Sequence, residues 1–260
     1  MISIRPCNYD EISSRVEEHY KSKDIIVDSY WEDHVLSSNH YMILWENEYA
    51  GFFAIHKEST ITLFHMSGHH ACHGQQVFEQ IKHYEKVTNA FVPTGDEFFL
   101  SHALDSFSRM EKQAYFSVYT DKPIPADRRK ELNLRLAKDS RDTELFALAK
   151  DFFDPGNIEK VLEGSPYFKV YLVEEGSDLV GFGVVEYGRI VKEVASIGMY
   201  VMEDRRRQGY AASILKNLQE LVEARGFQAR SGCWYYNHFS RKSMERAGAY
   251  SKSRLLRFYF

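Results

Sequence analysis

The residues with the most specific chemistry lie in one stretch, Met199-Tyr-Val-Met-Glu-Asp-Arg-Arg-Arg-Gln-Gly-Tyr-Ala-Ala212. A β-rich run, Glu193 to Met202, enters a short loop that opens directly into the most regular helical segment of the chain, Tyr210 to Arg225. That segment places Tyr210, Ile214, Leu215, Leu218, Leu221 and Val222 on one helical face. The first amides of a helix have no intrahelical acceptor, and the helix dipole adds positive potential there. Such an end takes phosphate readily. Gly209 and Ala211 are small, and a larger side chain at either would hold a diphosphate off the main-chain amides. Arg205, Arg206 and Arg207 add charge beside the same turn.

A second motif follows. Asn237-His-Phe-Ser240 opens a segment that ends at Gly248 and Tyr250, and Asn237 is placed to cap it. Together the two motifs resemble the GNAT acyltransferases. Arg206-Arg-Gln-Gly209-Tyr-Ala211 is similar to that family's diphosphate loop, Arg/Gln-x-x-Gly-x-Gly/Ala. The resemblance implies that Met199, Tyr200 and Val201 form a strand that splays from its neighbour and pairs with the pantetheine arm of acetyl-coenzyme A. It implies that Arg206, Arg207, Gln208, Gly209, Tyr210, Ala211 and Ala212 hold the diphosphate, and that Asn237 and Ser240 meet the arm. Glu203 stands where many members have proline.

The chemistry so implied is transfer of an acetyl group to an amine by direct attack, with no metal and no covalent enzyme intermediate. A main-chain amide near Tyr200 or Val201 would polarise the thioester carbonyl. A carboxylate must take the amine proton. Glu193, at the start of the strand, is the first candidate, and Glu186, near the end of the preceding strand, is the second. Many relatives carry a tyrosine one turn before the glycine as acid toward the leaving thiolate; here that position is Met244. Tyr250 is the substitute expected, with Tyr235 and Tyr236 also near in sequence. A non-catalytic acetyl-CoA sensor and an enzyme using another acyl or aminoacyl donor are the rival readings.

The surrounding elements predict an α/β fold of two tandem GNAT-like units with mixed sheets. Residues 132–260 read as strand, helix, helix, three strands, helix, strand, helix, strand, with Asn157 as cap of the second helix. Within 1–122 a weaker series of the same kind is expected: strands at Ile2 to Arg5, Tyr41 to Trp45, Gly51 to His56, Thr60 to Met66, Asn89 to Val92 and Ala114 to Tyr119, and helices at Asp10 to Tyr20, Gly74 to Val87 and Asp96 to Phe107. This copy is expected to be degenerate. Its loop, His65-Met-Ser-Gly-His-His-Ala-Cys-His73, lacks the arginine and the second small residue. The loop is rich in ligand-type residues but matches no zinc spacing, so no metal is expected. Residues 123–131, with Pro123 and Pro125, are expected as linker.

Composition bounds the rest. Residues 1–125 carry 10 Lys/Arg against 18 Asp/Glu, and residues 126–260 carry 23 against 19, so the basic half is the one expected to take an anionic ligand. No apolar run approaches the ~18 residues of a membrane helix, and three distant cysteines make no disulfide framework. A cytoplasmic protein is expected, without membrane or nucleic-acid partners. The amine acceptor and the oligomeric state have no signature.

Overall fold

The computed structural model describes residues 2–84 and 86–260. In chain order the elements are β1 (Ile2–Cys7), α1 (Tyr9–Ser22), α2 (Ser29–Leu36), β2 (Asn39–Trp45), β3 (Glu48–His56), β4 (Thr60–Met66), α3 (Gly74–Lys82), β5 (Asn89–Pro93), α4 (Glu97–Leu104) and β6 (Arg109–Tyr119). There follow β7 (Asn133–Leu136), α5 (Ser140–Glu144), α6 (Pro155–Leu162), β8 (Phe168–Glu175), β9 (Asp178–Tyr187), β10 (Val194–Val201), α7 (Tyr210–Glu223), β11 (Gln228–Trp234), α8 (His238–Arg246) and β12 (Ala249–Tyr259). Two compact units result: Met1–Phe116 with Lys252–Phe260, and Ser117–Ser251.

In the first unit β1 to β4 pair in sequence order, each antiparallel to the next, and β4 meets β5 in parallel. One face of this sheet packs Phe53, Ile55 and Phe64 against Val77, Phe78 and Ile81 of α3. The sequence shows no sign of α2; it is short, capped by the Asp28 carboxylate accepting from the Trp31 amide at 3.2 Å, and held by burial of Trp31 and Val35. α3 ends at Lys82, short of the expected Val87; Glu85 of that range lies outside the described residues, as does Met1.

The second unit repeats the order. β7, β8, β9 and β10 are antiparallel in turn, and β10 meets β11 in parallel. α7 covers one face with Ile214, Leu215, Leu218 and Val222, which are buried against Ala195, Ile197 and Val201 of β10. Full burial of each such side chain contributes about 1.5–3 kcal/mol. The approach is close: a Cβ on Gly183 of β9 would meet Leu218 Cδ2 at 3.0 Å. The other face packs Phe182 and Val184 against Phe146 and Phe153.

Three expectations need correction. The helix expected over Asp142 to Phe153 is α5 followed by a 3-10 segment, Leu145–Phe152, broken at Lys150 (φ 54°, ψ −126°). The cap of α6 is Asp154, whose carboxylate accepts from the Asn157 amide at 2.7 Å; Asn157 completes a capping box from inside the helix. The division of the chain also differs from the one expected. Residues 123–131 belong to the second unit, where Ile124 enters the core and Arg129 pairs with Glu220 at 2.6 Å. Residues 252–260 belong to the first, because Leu255 to Tyr259 pair antiparallel with Pro93 to Asn89.

Candidate acyl-donor site

β10 carries the site because it has a neighbour along only part of its length. Its ladder to β9 runs from Ala195 to Val201, but its ladder to β11 ends at Ser196 opposite Arg230. Beyond that point the two parallel strands diverge. The Met202 amide donates to the Val180 carbonyl at 3.0 Å, and antiparallel alternation then turns the main-chain groups of Tyr200 and Gly198 toward β9 and those of Ile197, Met199 and Val201 toward the gap. Two contacts agree: the Ile197 carbonyl accepts from Ser231 Oγ at 2.7 Å, and the Val201 carbonyl accepts from Arg206 Nε at 3.1 Å. The amides that open on the gap are thus Met199 and Val201. The Tyr200 amide, one of two expected there, is turned into the sheet.

Ser231 fastens the point where the strands part. Its hydroxyl donates to Ile197, so the Tyr119 hydroxyl, 2.8 Å away, donates to Ser231 Oγ. Burial pushes the Tyr119 phenol well up. Sequence reasoning missed this pair, since Tyr119 and Ser231 are 112 positions apart and neither lies in a motif.

At the end of β10 a 3-10 turn, Glu203–Arg205, leads to two left-handed residues, Arg207 (φ 64°) and Gly209 (φ 94°). Gly209 is the N-cap of α7 and has no side chain to cap with, and its φ is one that glycine alone adopts at no cost. Among the described residues, the main-chain amides of Arg207, Gln208, Gly209, Tyr210, Ala211 and Ala212 donate to no protein acceptor; the first bonded amide is Ser213, to the Gly209 carbonyl at 3.3 Å. Six such donors at a helix start form an anion-binding concavity.

The three arginines divide. Arg205 turns away to Asp178 at 2.8 Å. Arg206 lies over the Tyr200 ring and 3.9 Å from Glu203. Arg207 is exposed and has no partner among the described residues. Glu203 pairs with Lys150 at 2.6 Å, which lowers its carboxyl pKa. Gln208 Nε2 donates to the Asp204 carbonyl at 3.0 Å. The Tyr210 hydroxyl donates to Glu175 at 2.6 Å, a bond that raises its pKa.

The remaining candidates stand as follows. The Asn237 carboxamide oxygen accepts from the Ser240 amide at 3.0 Å and caps α8, which leaves its NH2 group for a ligand. Met244 is 2 % exposed and packs in the core with α7. Tyr250 is half exposed on β12, a strand that β6 and β11 separate from β10. Glu193 precedes β10 and is exposed, with its carbonyl accepting from the Gln228 amide at 2.8 Å. Glu186 pairs across β9 and β10 with Ser196, and so lies on the sheet face opposite α7, with Gly198 and Tyr200.

The equivalent place in the first unit is filled. β4 and β5 also part early, after Ile61 and Ala90. There Phe98, Phe99 and His102 of α4 pack against Phe64 of β4, with ring centroids 5.3–6.2 Å apart. A 3-10 turn, Gly68–His73, runs straight into α3, and the Gly74 amide is bonded to Ala71. A Cβ on Gly74 would meet His102 Nε2 at 2.5 Å. Among the described residues no group of three His, Cys, Asp or Glu is placed to hold a metal.

A divergent parallel strand pair, with a glycine-capped helix opening beside it, is the architecture of an acyl-coenzyme A transferase domain. Residues 8–120 match the family described as "Acetyltransferase (GNAT) domain", and residues 130–249 match "Acetyltransferase (GNAT) family". The chain belongs to the GNAT acetyltransferases and carries two GNAT domains in tandem. None of the curated proteins matches it. Among solved structures, an acetyltransferase of the GNAT family from Colwellia psychrerythraea has the same fold, with a TM-score of 0.86, 17% identity and 99% of each chain covered. A GCN5-related N-acetyltransferase from Sphaerobacter thermophilus gives 0.62 at 12% identity, over 99% of this chain and 94% of that one. A tandem GNAT protein from the clavulanic acid biosynthesis pathway gives 0.58 at 11% identity, over 99% and 98%.

Proposed function

We propose that the second unit is an N-acetyltransferase that moves the acetyl group of acetyl-CoA to a primary amine. The run of six acceptor-free amides from Arg207 to Ala212 carries this reading. They would hold the diphosphate, with Arg206 and Arg207 adding charge. The pantetheine arm would lie in the gap beside Met199 and Val201 as an added strand, with the Asn237 NH2 group and Ser240 along its course. In the first unit the corresponding gap holds Phe98, Phe99 and His102, so one donor per chain is expected.

The reaction follows from these positions. The neutral amine attacks the thioester carbonyl carbon. The oxygen that becomes negative lies against a gap-facing amide, Met199 or Val201. The amine proton passes to a carboxylate, directly or through water. Of the two candidates, Glu186 shares the face of Gly198 and Tyr200, whereas Glu193 lies outside the strand. The C–S bond then breaks, and coenzyme A leaves as thiolate. With Met244 buried, we assign no acid to this step; a thiol needs little help to leave. The absence of cysteine pairing among the described residues fits a cytoplasmic setting.

Calorimetry with acetyl-CoA tests the reading. The full chain should bind one equivalent, and Gly209→Glu should abolish binding while the fold, followed by circular dichroism, persists. Equal binding by both proteins would remove the loop assignment. A non-catalytic acetyl-CoA sensor is the second reading, favoured by the burial of Met244; it predicts binding with no thiol release on any amine.

A further inference from the structure

The acceptor side of the second unit shows what kind of amine it takes. Ala195, Ile197 and Val201 of β10 pack toward α7, so Ser196, Gly198 and Tyr200 share the opposite face. On β11, Ala229 and Cys233 pack in the same core, which puts Gly232 and Trp234 on the face of Gly198. The gap between the strands is therefore floored by small residues. A Cβ on Gly198 would have only Val184 Cβ within 4.0 Å, so the space above it is open.

The two sides of this floor are aromatic and exposed. On one side the 3-10 segment brings Phe152, 41 % exposed, to 5.4 Å from the Tyr200 ring, and the Tyr200 hydroxyl donates to the Leu148 carbonyl at 3.5 Å. On the other, Trp234 is 62 % exposed and stands edge-on to Tyr236 at 5.0 Å. Large apolar side chains left in water on both rims of a candidate site mark a ligand surface. Charge narrows the ligand further. The Glu186 carboxylate lies on this face opposite Ser196, Arg230 of β11 shares the face, and Lys150 of the 3-10 segment is already paired with Glu203. An ammonium would meet Glu186 on this face, whereas a polycation would meet Arg230 as well.

We propose that the acceptor is a monoamine borne on a flat apolar body, an arylalkylamine, lying on Gly198 between Phe152 and Trp234, and that Gly198 and Trp234 set this specificity. The proposal rests on the acetyltransferase reading above, and its test separates the two. Binding of 2-phenylethylamine and of spermidine to the full chain is first followed by ligand-observed NMR without donor. Thiol release from acetyl-CoA is then measured with 2-phenylethylamine, spermidine and a lysine-bearing peptide. 2-Phenylethylamine should bind, and its kcat/KM should exceed those of the other two by roughly tenfold or more. Gly198→Val, a change that suits a strand, should raise its KM by roughly tenfold, with acetyl-CoA affinity changed less than about twofold. Trp234→Ala should raise KM likewise, and Trp234→Phe should restore most of it. Preference for spermidine or the peptide, or an unchanged KM in both Gly198→Val and Trp234→Ala, overturns the proposal, as does failure of 2-phenylethylamine to bind. Binding of that amine without thiol release from any acceptor would overturn the enzymatic reading and leave the groove assignment standing.

Discussion

Arg206 Nε donates to the main-chain oxygen of Val201 at 3.1 Å, so the arginine of the anion loop closes the open edge of the strand beside it. In the binding mode proposed above, an incoming pantetheine arm would need that carbonyl, and an incoming diphosphate would need that guanidinium. Binding the whole donor satisfies both at once; binding half of it does not. Arg206→Ala should therefore weaken acetyl-CoA by roughly tenfold, the scale of one charge-assisted contact, and leave S-acetylpantetheine, which lacks the diphosphate, bound as well or better. Competition calorimetry with the two donors reads this. Equal weakening of both would show that the Val201 contact plays no part.

Lys150 sets backbone strain against an ion pair. Its φ of 54° with ψ of −126° is a region open to glycine and costly for lysine, about 1–3 kcal/mol. Its bond to Glu203 is well exposed at both ends, where water and salt screen it to a small contribution. Strain is the larger effect, so Lys150→Gly should leave stability unchanged or raise it, by urea titration, whereas Lys150→Ala, which keeps the strain and loses the pair, should lower it.

Restoring the tyrosine common in relatives should not help this chain. Met244 is buried among Leu215, Leu218 and their neighbours. Met244→Tyr overfills that core and buries a hydroxyl, costing about 1–3 kcal/mol. The midpoint of urea unfolding should fall, with no gain in rate of thiol release.

His65 makes the first unit sensitive to acid. Burial, with His19 and Lys23 nearby, lowers its pKa from 6.5 to about 4, and its Nδ1 has no hydrogen-bond partner among the described residues. A base with a depressed folded pKa binds its proton more readily when unfolded. Stability is therefore intact above pH ~6.5 and lost progressively as the pH falls toward about 4. His40 and His56 shift in the same direction and add to the slope. His65→Phe should flatten the fall between those limits, in thermal melts taken at half-unit pH steps; an unchanged slope would place the acid sensitivity elsewhere.

Periodicity and turn chemistry revealed most of this fold. The α7 stripe, the Gly176 turn between β8 and β9, and the Gly248 stop after α8 follow from local spacing alone. The loop from Arg206 to Ala212 was legible because a strand, a glycine and a helix are adjacent in sequence. What stayed hidden depends on partners far along the chain. Ser231 needs Ile197 and Tyr119 to have a meaning, and α2 needs a sheet to cover before eight residues form a helix. Asn157 and Asp154 compete for one cap, and propensity does not rank them. The 123–131 segment looks like a linker by its prolines; Ile124 in the core and Arg129 on Glu220 show that it is docked.

The pairing of Leu255 to Tyr259 with Asn89 to Pro93 fixes an order of events at the ribosome. The first unit to be synthesised is the last to be finished, because its closing strand is translated only after all of the second unit. The exposed edge of β5 must wait, solvated or chaperoned, while the 158 residues from 94 to 251 emerge before Lys252 begins that strand's share of the sheet.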